Sequence, residues 1–263
     1  MGFHVLAGVR TERDADSIRA SGIEPVMLDI TIPHHIQALA ARIADDPDKR
    51  MLRAVINNAG IEINAPVEVL PLEVWRSQFE VNLFGHVAVV QSLLPFLRRS
   101  RGRIINISSV GGEAALPIYG AYAATKFALE AASDSLRREV SSQGIQVVVV
   151  QPGGVQTVMA DRSGALSLEL AGGMNPEHTH LYNDLITSAV ATQTTFLRRA
   201  MSADKAALKI ARITTTARPK TRYTLGIDAA FVIPLNRLLP TRIMDRILAP
   251  NRKNSSTRAT AEE

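Results

Sequence analysis

Arg103-Ile104-Ile105-Asn106-Ile107-Ser108-Ser109-Val110-Gly111-Gly112 and, after nine intervening residues, Tyr122-Ala123-Ala124-Thr125-Lys126 decide how this chain is read. The first stretch is a strand over 103–107 that ends in hydroxyls and glycines. The second opens a long helix over about 122–141. On a helix, positions four apart share a face, so the Tyr122 phenol and the Lys126 ammonium point into one pocket. A free tyrosine has a pKa near 10 and is a poor base at neutral pH. A cation beside it favours the phenolate, and lowering its pKa by about 3 units requires about 4 kcal/mol of differential stabilisation. Taken alone, the pair reads better as neighbours on a surface helix. What singles it out is Ser109, thirteen positions upstream at the carboxyl end of a strand. Ligands of parallel α/β sheets bind beyond those ends, so hydroxyl and phenol converge on one substrate oxygen.

Around these two elements strand and helix alternate, the pattern of a parallel sheet covered on both faces. Residues 4–7 read as a short strand, followed by a polar helix from about Arg13, and 24–28 as the next strand, closing on Asp29. Pro33 suits the first turn of a helix running to about Ala44. A third strand at 54–56 stops at Asn57-Asn58-Ala59-Gly60. A helical stretch over about 72–97 carries Trp75, Phe79, Val81 and Phe84 on apolar positions, with the polar Asn82 among them. Residues 145–150 are β-branched apart from Gln146, as a strand buried on both faces should be. Pro152-Gly153-Gly154-Val155-Gln156-Thr157 follows it. Beyond Thr157 the signal weakens, with helices expected near 177–200 and 203–213 and a short strand at 222–224. The polar tail from Asn251 lacks apolar periodicity and reads as disordered, leaving one domain over 1–250.

Composition narrows the chemistry. The 263 residues, 46% of them hydrophobic, are enough for one substantial core. With no cysteine, disulfides, thiolate zinc sites and cysteine nucleophiles are excluded, which fits a reducing, cytoplasmic setting. The net charge of +5 invites a nucleic-acid partner, but Arg98, Arg99, Arg101 and Arg103 fall where a helix should end. Cations there complement the helix dipole, and no aromatic-interleaved basic stripe appears, so no nucleic acid is expected. His178 and His180 diverge on a helix and make poor metal partners, so no metal is expected either. The start lacks the pattern of a signal peptide. No uninterrupted apolar run approaches the roughly 18 residues of a membrane span.

Taken in order, these motifs resemble those of the short-chain dehydrogenase/reductases. The matching positions are N-N-A-G at Asn57, Asn58, Ala59 and Gly60, the helix residue Asn82, Ser109 with Tyr122-x-x-x-Lys126, and P-G-x-x-x-T from Pro152 to Thr157. The resemblance is close over roughly 2–160 and looser beyond. It implies an α/β fold, a Rossmann-like doubly wound parallel sheet, and hydride transfer between a nicotinamide cofactor and an alcohol or carbonyl carbon. Tyr122 would exchange a proton with the substrate oxygen as general acid or base. Lys126 would depress the tyrosine pKa and bond the nicotinamide ribose. Ser109 would orient and polarise the carbonyl. Asn82 would hold a water linking Lys126 to solvent. Ser109 and Tyr122 are thus the substrate contacts, while Tyr119 lacks the thirteen-residue spacing and is read as a pocket wall.

The cofactor would lie against Asn57, Asn58, Ala59, Gly60, Tyr122, Lys126, Pro152, Gly153, Val155 and Thr157, with Thr157 at the nicotinamide amide or a phosphate, or simply capping the next helix. Asp29 matches the family aspartate at the adenine ring, with a cap of the turn at Thr31 as the plainer alternative. Where the family places the acid that selects NAD, this chain has Val9 with Arg10 beside it. An arginine there can pair with a 2′-phosphate, so NADP is expected, with NAD as the alternative and a merely solvated Arg10 as the plainer reading. The lid, about 155–215, offers Met159, Leu166, Leu168, Leu170, Met174, Leu181, Tyr182 and Leu185. Apolar pockets take apolar ligands, so the substrate is read as a lipophilic alcohol and its ketone or aldehyde, as in the retinol and hydroxysteroid dehydrogenase branch. The amphipathic run from Phe231 to Leu248 would cap the pocket, join a dimer interface or touch a membrane surface, in that order. The family pairs its two long helices in homodimers and homotetramers.

One family feature has no counterpart here. A strand, a T-G-x-x-x-G-x-G turn and a helix should precede Gly2 and cradle the pyrophosphate on the helix N-terminus. Neither Gly111-Gly112 nor Gly172-Gly173 follows the first strand of a βαβ unit. The expectation is an N-terminally truncated sheet, first strand and first helix absent, with an interruption between the strands ending near Ala7 and Ile56. Each backbone group left unpaired there costs about 1–3 kcal/mol. A start assigned at an internal methionine is the first explanation. The rival is a cofactor-deficient relic acting as a non-catalytic, dimerising interaction protein, against which the intact Ser109, Tyr122, Lys126 and Asn82 argue.

Overall fold

The computed structural model describes residues 2–20 and 22–248, so the tail from Asn251 lies outside the described residues. The chain begins with β1 (Val5–Val9), α1 (Glu12–Ile18), β2 (Ile23–Met27), α2 (Pro33–Ala44) and β3 (Ala54–Asn57). Local chemistry sets the helix starts. The Thr11 side chain accepts from the Asp14 amide at the head of α1, and Pro33 occupies the first turn of α2. Next come α3 (Leu72–Phe79), a π-helical segment (Glu80–Phe84) and α4 (Gly85–Ser100), so the single helix expected over 72–97 is continuous but widened by a π turn around Asn82. Then follow β4 (Arg103–Ile107), a 3-10 turn (Val110–Gly112), α5 (Gly120–Glu139), β5 (Gln146–Pro152) and β6 (Val155–Gln156). The remainder is α6 (Val158–Gly172), α7 (Pro176–Leu197), β7 (Met201–Ser202), α8 (Ala203–Thr215), β8 (Arg222–Leu225), α9 (Ile227–Leu238) and α10 (Thr241–Leu248).

Strands β3, β4, β5 and β8 form one parallel sheet in the order β3-β4-β5-β8, with Ile105 opposite both Ile56 and Val148. Strands β1 and β2 form a separate parallel pair with Val5 opposite Ile23. The expected interruption is therefore present: among the described residues, β1 pairs with β2 and β3 with β4, and no ladder joins the two sets. Alternation along β4 and β5 feeds two cores. Ile104 and Val147 pack with Ile36 and Leu39 of α2 and Val89, Leu93 and Leu97 of α4. Ile105, Val148 and Val150 face the other way, onto Ile213 of α8 and Leu225 of β8. At Gly85 a side chain would come within 2.6 Å of Ile30, so glycine is what lets the helix lie this close to the β2–α2 connection. The helical run Leu72–Ser100 is long and apolar enough to cross a membrane by length and composition, yet its apolar residues Val89, Leu93 and Leu97 are buried against the sheet.

The largest difference from the sequence reading is α6, which fills a stretch where no periodicity was legible. Thr157 caps it by accepting from the Ala160 amide. Its buried face is Ala160, Ser163, Ser167 and Ala171, a helical spacing written in small residues rather than large apolar ones. Strands β6 and β7 pair in parallel, Val155 opposite Met201, and bring together the two ends of the α6–α7 excursion.

Candidate active site

Ser109 follows β4 in fully extended backbone, and its Oγ accepts from the Gly111 amide at 3.0 Å, which fixes the turn and leaves the hydroxyl at the sheet's carboxyl edge. Tyr122 lies in the first turn of α5 and is 7% exposed. A Cβ built on Gly111 would sit 3.4 Å from the Tyr122 ring and 3.5 Å from Ser109 Oγ, so turn, serine and tyrosine are brought together as their spacing predicts. Lys126, one turn further along α5, is buried, donates to the Ile107 carbonyl at 2.9 Å and stands 5.7 Å from the Tyr122 ring centre.

The electrostatics depart from the sequence expectation. Burial pushes the Tyr122 phenol well above its usual range, the nearby Glu62 carboxyl adds to this, and the Ser109 hydroxyl pulls the other way. Lys126 does not reverse that balance. Burial lowers it from 10.5 to about 8, with Glu62 and Glu130 pulling back up. Around Tyr122, burial and the Glu62 charge thus outweigh the lowering expected from Lys126. Tyr119, beside it, is likewise raised by burial and by Glu62.

Asn82, fully buried in the π segment, accepts from the Ile61 amide and donates to the Ile61 carbonyl and to Thr125 Oγ1. It stitches the loop after β3 to the helix and to α5. A Cβ on Gly60 would lie 3.4 Å from Asn82 Oδ1 and 3.9 Å from Lys126 Nζ, so the loop glycine leaves a small cradle between asparagine and lysine. His86 was missed by the sequence reading: buried, its Nε2 bonds the Ala59 carbonyl at 2.8 Å, and burial lowers its pKa to about 4, so the ring is neutral. A polar residue one turn after Asn82 on the same helix is the signal that would have found it.

The other expected cofactor residues divide. Asn57 is buried and donates to Asn106 Oδ1, whose amide in turn donates to Ser133, so it joins sheet to α5 rather than facing the cleft. Asn58 and Ala59 are exposed. Asp29 Oδ1 accepts from the amide and hydroxyl of Thr31, the plainer of its two readings, while its other oxygen keeps no such bond. Those bonds and, less, the charge of Arg10 hold it below the usual carboxylate range. Arg10 is exposed at the end of β1, next to buried Val9. Beyond Pro152, the Gly153 amide donates to the Leu225 carbonyl, Val155 lies in β6, and Thr157 caps α6. Of the lid residues, Leu170 packs beside Ala121, and Met174, Tyr182 and Leu185 pack around Ile118 and Tyr119, whereas Met159, Leu166, Leu168 and Leu181 are exposed.

For a nicotinamide cofactor the ribose and nicotinamide end fits: the Gly60 cradle is lined by Asn82 and Lys126. The pyrophosphate end does not find its cradle at α1, whose first turn carries the Thr11 cap and the acids Glu12 and Asp14. A cavity of about 550 Å³ opens instead at the opposite ends of the strands, beside Arg53, Arg101 and Arg103. Arg103 donates there to the Ile213, Thr214 and Thr216 carbonyls, so it caps α8 rather than offering a free cation.

A family model described as short chain dehydrogenase matches residues 1–166. Dehydrogenase/reductase SDR family member 9 of Homo sapiens is 32% identical over 256 residues, an alignment covering 94% of this chain and 80% of the relative. A 17-beta-hydroxysteroid dehydrogenase type 6 of Bos taurus is 34% identical over 263 residues, with the same coverage of 94% and 80%. The crystal structure of a short-chain dehydrogenase from Streptomyces avermitilis superposes with a TM-score of 0.71 at 26% identity, covering 94% of this chain and 84% of that one.

Proposed function

The chain belongs to the short-chain dehydrogenase family, oxidoreductases acting on CH–OH groups with NAD(P), and from that premise we propose that it reduces a lipophilic ketone or aldehyde with NADPH through Ser109, Tyr122 and Lys126. The observation that carries this reading is the convergence of Ser109 Oγ and the Tyr122 ring on one turn at the sheet's carboxyl edge. The cofactor, when bound, supplies the hydride. Ser109 donates to the carbonyl oxygen and holds it, stabilising the charge that develops there. Tyr122, kept neutral by burial, delivers the proton to that oxygen. Lys126 contributes positive charge beside the phenolate left behind, and its bond to the Ile107 carbonyl fixes it there. Asn82 and His86 act one step back: Asn82 ties Ile61 to Thr125 of α5, and His86 holds Ala59 against α4. A lipophilic substrate is supported by the apolar neighbours Ile118, Leu170 and Leu185, and by a relative whose printed name is a hydroxysteroid dehydrogenase. Preference for NADPH rests on exposed Arg10, which no side-chain carboxylate among the described residues binds directly.

Substitution tests the assignment. Tyr122→Phe removes the proton but keeps the ring, so turnover should fall by about 10²–10⁴ while NADPH binding stays at the wild-type level. Lys126→Met should lose turnover and weaken NADPH binding as well. A phenylalanine variant that keeps its activity removes Tyr122 from this role.

A further inference from the structure

Glu62 sits two residues after Gly60, on the loop between β3 and α3, half-buried beside the reacting groups. Its Oε1 accepts from Asn64 Nδ2 at 2.8 Å and from Ser163 Oγ at 2.9 Å, and Asn64 Nδ2 also reaches Ser163 Oγ at 2.9 Å. Asn64 is 1% exposed and Ser163, on the lid helix α6, is wholly buried. The carboxyl is thus clamped between the loop and the lid through one oxygen. Its second oxygen has no hydrogen-bond partner among the described residues. No cation lies within salt-bridge distance of it among the described residues either, and the nearest charge it feels is that of Lys126. In return it raises both Tyr119 and Tyr122, and the loop it sits on sets Gly60 beside Lys126 and bonds Ile61 to Asn82. Its chain neighbours Ile61 and Ile63 are apolar.

An acid held this way is unfavourable in the free protein, because burial disfavours its charged form. Two neighbouring donors orient it nonetheless, leaving one acceptor bare beside the loop that carries Gly60. Substrate pockets fix their ligands by a small number of placed polar groups. We propose that Glu62 is a second anchor of the substrate pocket, its free carboxyl oxygen accepting a hydrogen bond from a hydroxyl or ammonium group of the substrate. The preferred ketone then carries a hydrogen-bond donor at a fixed spacing from its carbonyl rather than being pure hydrocarbon. This rests on the reading of Ser109 and Tyr122 as the pair that holds the reacting oxygen.

The test is a matched series of ten-carbon alkanones: the plain ketone, and analogues bearing one hydroxyl or one amine at one to six carbons from the carbonyl. Each is measured by equilibrium calorimetry with the protein and NADPH, and by kcat/KM. At one spacing the donor-bearing ketone should bind about tenfold to a hundredfold more tightly than the plain one, as a hydrogen bond to a charged acceptor gives. That ratio should collapse to within about twofold in Glu62→Leu. Glu62→Gln, closer in shape and safer for folding, should keep part of a hydroxyl preference and lose an amine preference, which tells the two donors apart. A wild-type protein that binds no member better than the plain ketone overturns the proposal, as does a preference that survives in Glu62→Leu. Tyr122→Phe runs alongside as the separate control. Turnover retained there would sink the reading of the reacting pair, while the binding ratio still judges Glu62.

Discussion

Along β4 and β5, Ile104, Ile105, Val148 and Val150 are at most 1% exposed, whereas in β1 and β2 Val5, Ile23 and Met27 are 46%, 36% and 37% exposed. Both regions are parallel strands of β-branched and aliphatic residues. They differ in what lies on either side. The β4 strand is paired on both edges and covered on both faces, so its carboxyl end is a rigid platform for Ser109. The β1–β2 pair sets Leu6 and Val26 against the core that holds α2 and is also tied to α2 by ions: Arg42 Nε and Nη2 bind Glu24 at 2.6 Å each, His4 reaches the same carboxylate at 2.8 Å, and Asp46 links Arg42 to Arg50. Partly exposed pairs of this kind contribute little each, about 0–1 kcal/mol. Chemistry is thus placed where packing fixes geometry, and the Arg10 side of the molecule is the softer one.

Stability should divide along that line. Leu97→Ala, at a wholly buried position of α4, is expected to cost about 2–5 kcal/mol in denaturant unfolding, and Val5→Ala less than about 1 kcal/mol. Equal losses would erase the distinction between the halves.

The two regions should also answer to opposite ends of the pH scale. In the catalytic half, Lys126 is lowered to about 8 by burial while Tyr122 stays protonated, so kcat/KM for ketone reduction should fall by up to about tenfold per pH unit once pH rises beyond about 8. A flat profile from 7 to 10 would detach Lys126 charge from catalysis.

Cofactor choice belongs to the softer half. Arg10→Ala should remove a preference for NADPH over NADH of about tenfold, equivalent to about 1.4 kcal/mol, and leave NADH turnover close to wild type. An enzyme that prefers NADH before substitution contradicts the role given to Arg10.

The smallest effect concerns acid. Hydrogen bonding to Arg42, then to His4, holds Glu24 near 2 against a usual 4.5, with burial opposing. A carboxylate depressed on folding adds stability that is fully present above 4.5 and is lost as pH falls from 4.5 towards 2. Amide exchange in β1 and β2 should therefore quicken in that window before exchange in β4 does. Uniform protection across both would show that the ions do not hold the pair.

Much of this was legible because the signals are local and strong. The buried run at 145–150 became β5, Pro33 opened α2, and the spacing of Ser109, Tyr122 and Lys126 placed them on one turn and one helix face. What stayed hidden depended on tertiary context. Helix α6 buries Ser163 and Ser167, which carry no hydrophobic pattern, and the π turn at Asn82 arises from side-chain bonds to Ile61 and Thr125 that no periodicity announces. The groups that raise the Tyr122 pKa, burial and Glu62, were not visible in sequence, whereas its lysine was. A lone acid between Ile61 and Ile63, directly after the glycine loop, was the available clue.

The central claim is that Ser109 and Tyr122 act on one substrate oxygen, and a double-substitution cycle in kcat/KM tests it most directly. Groups acting as a unit lose their effects non-additively. Ser109→Ala and Tyr122→Phe should each lower kcat/KM by about 10² or more, and the double variant should lie within about threefold of Tyr122→Phe alone. Losses that multiply in the double variant would mean that the two hydroxyls work independently, and would contradict the account.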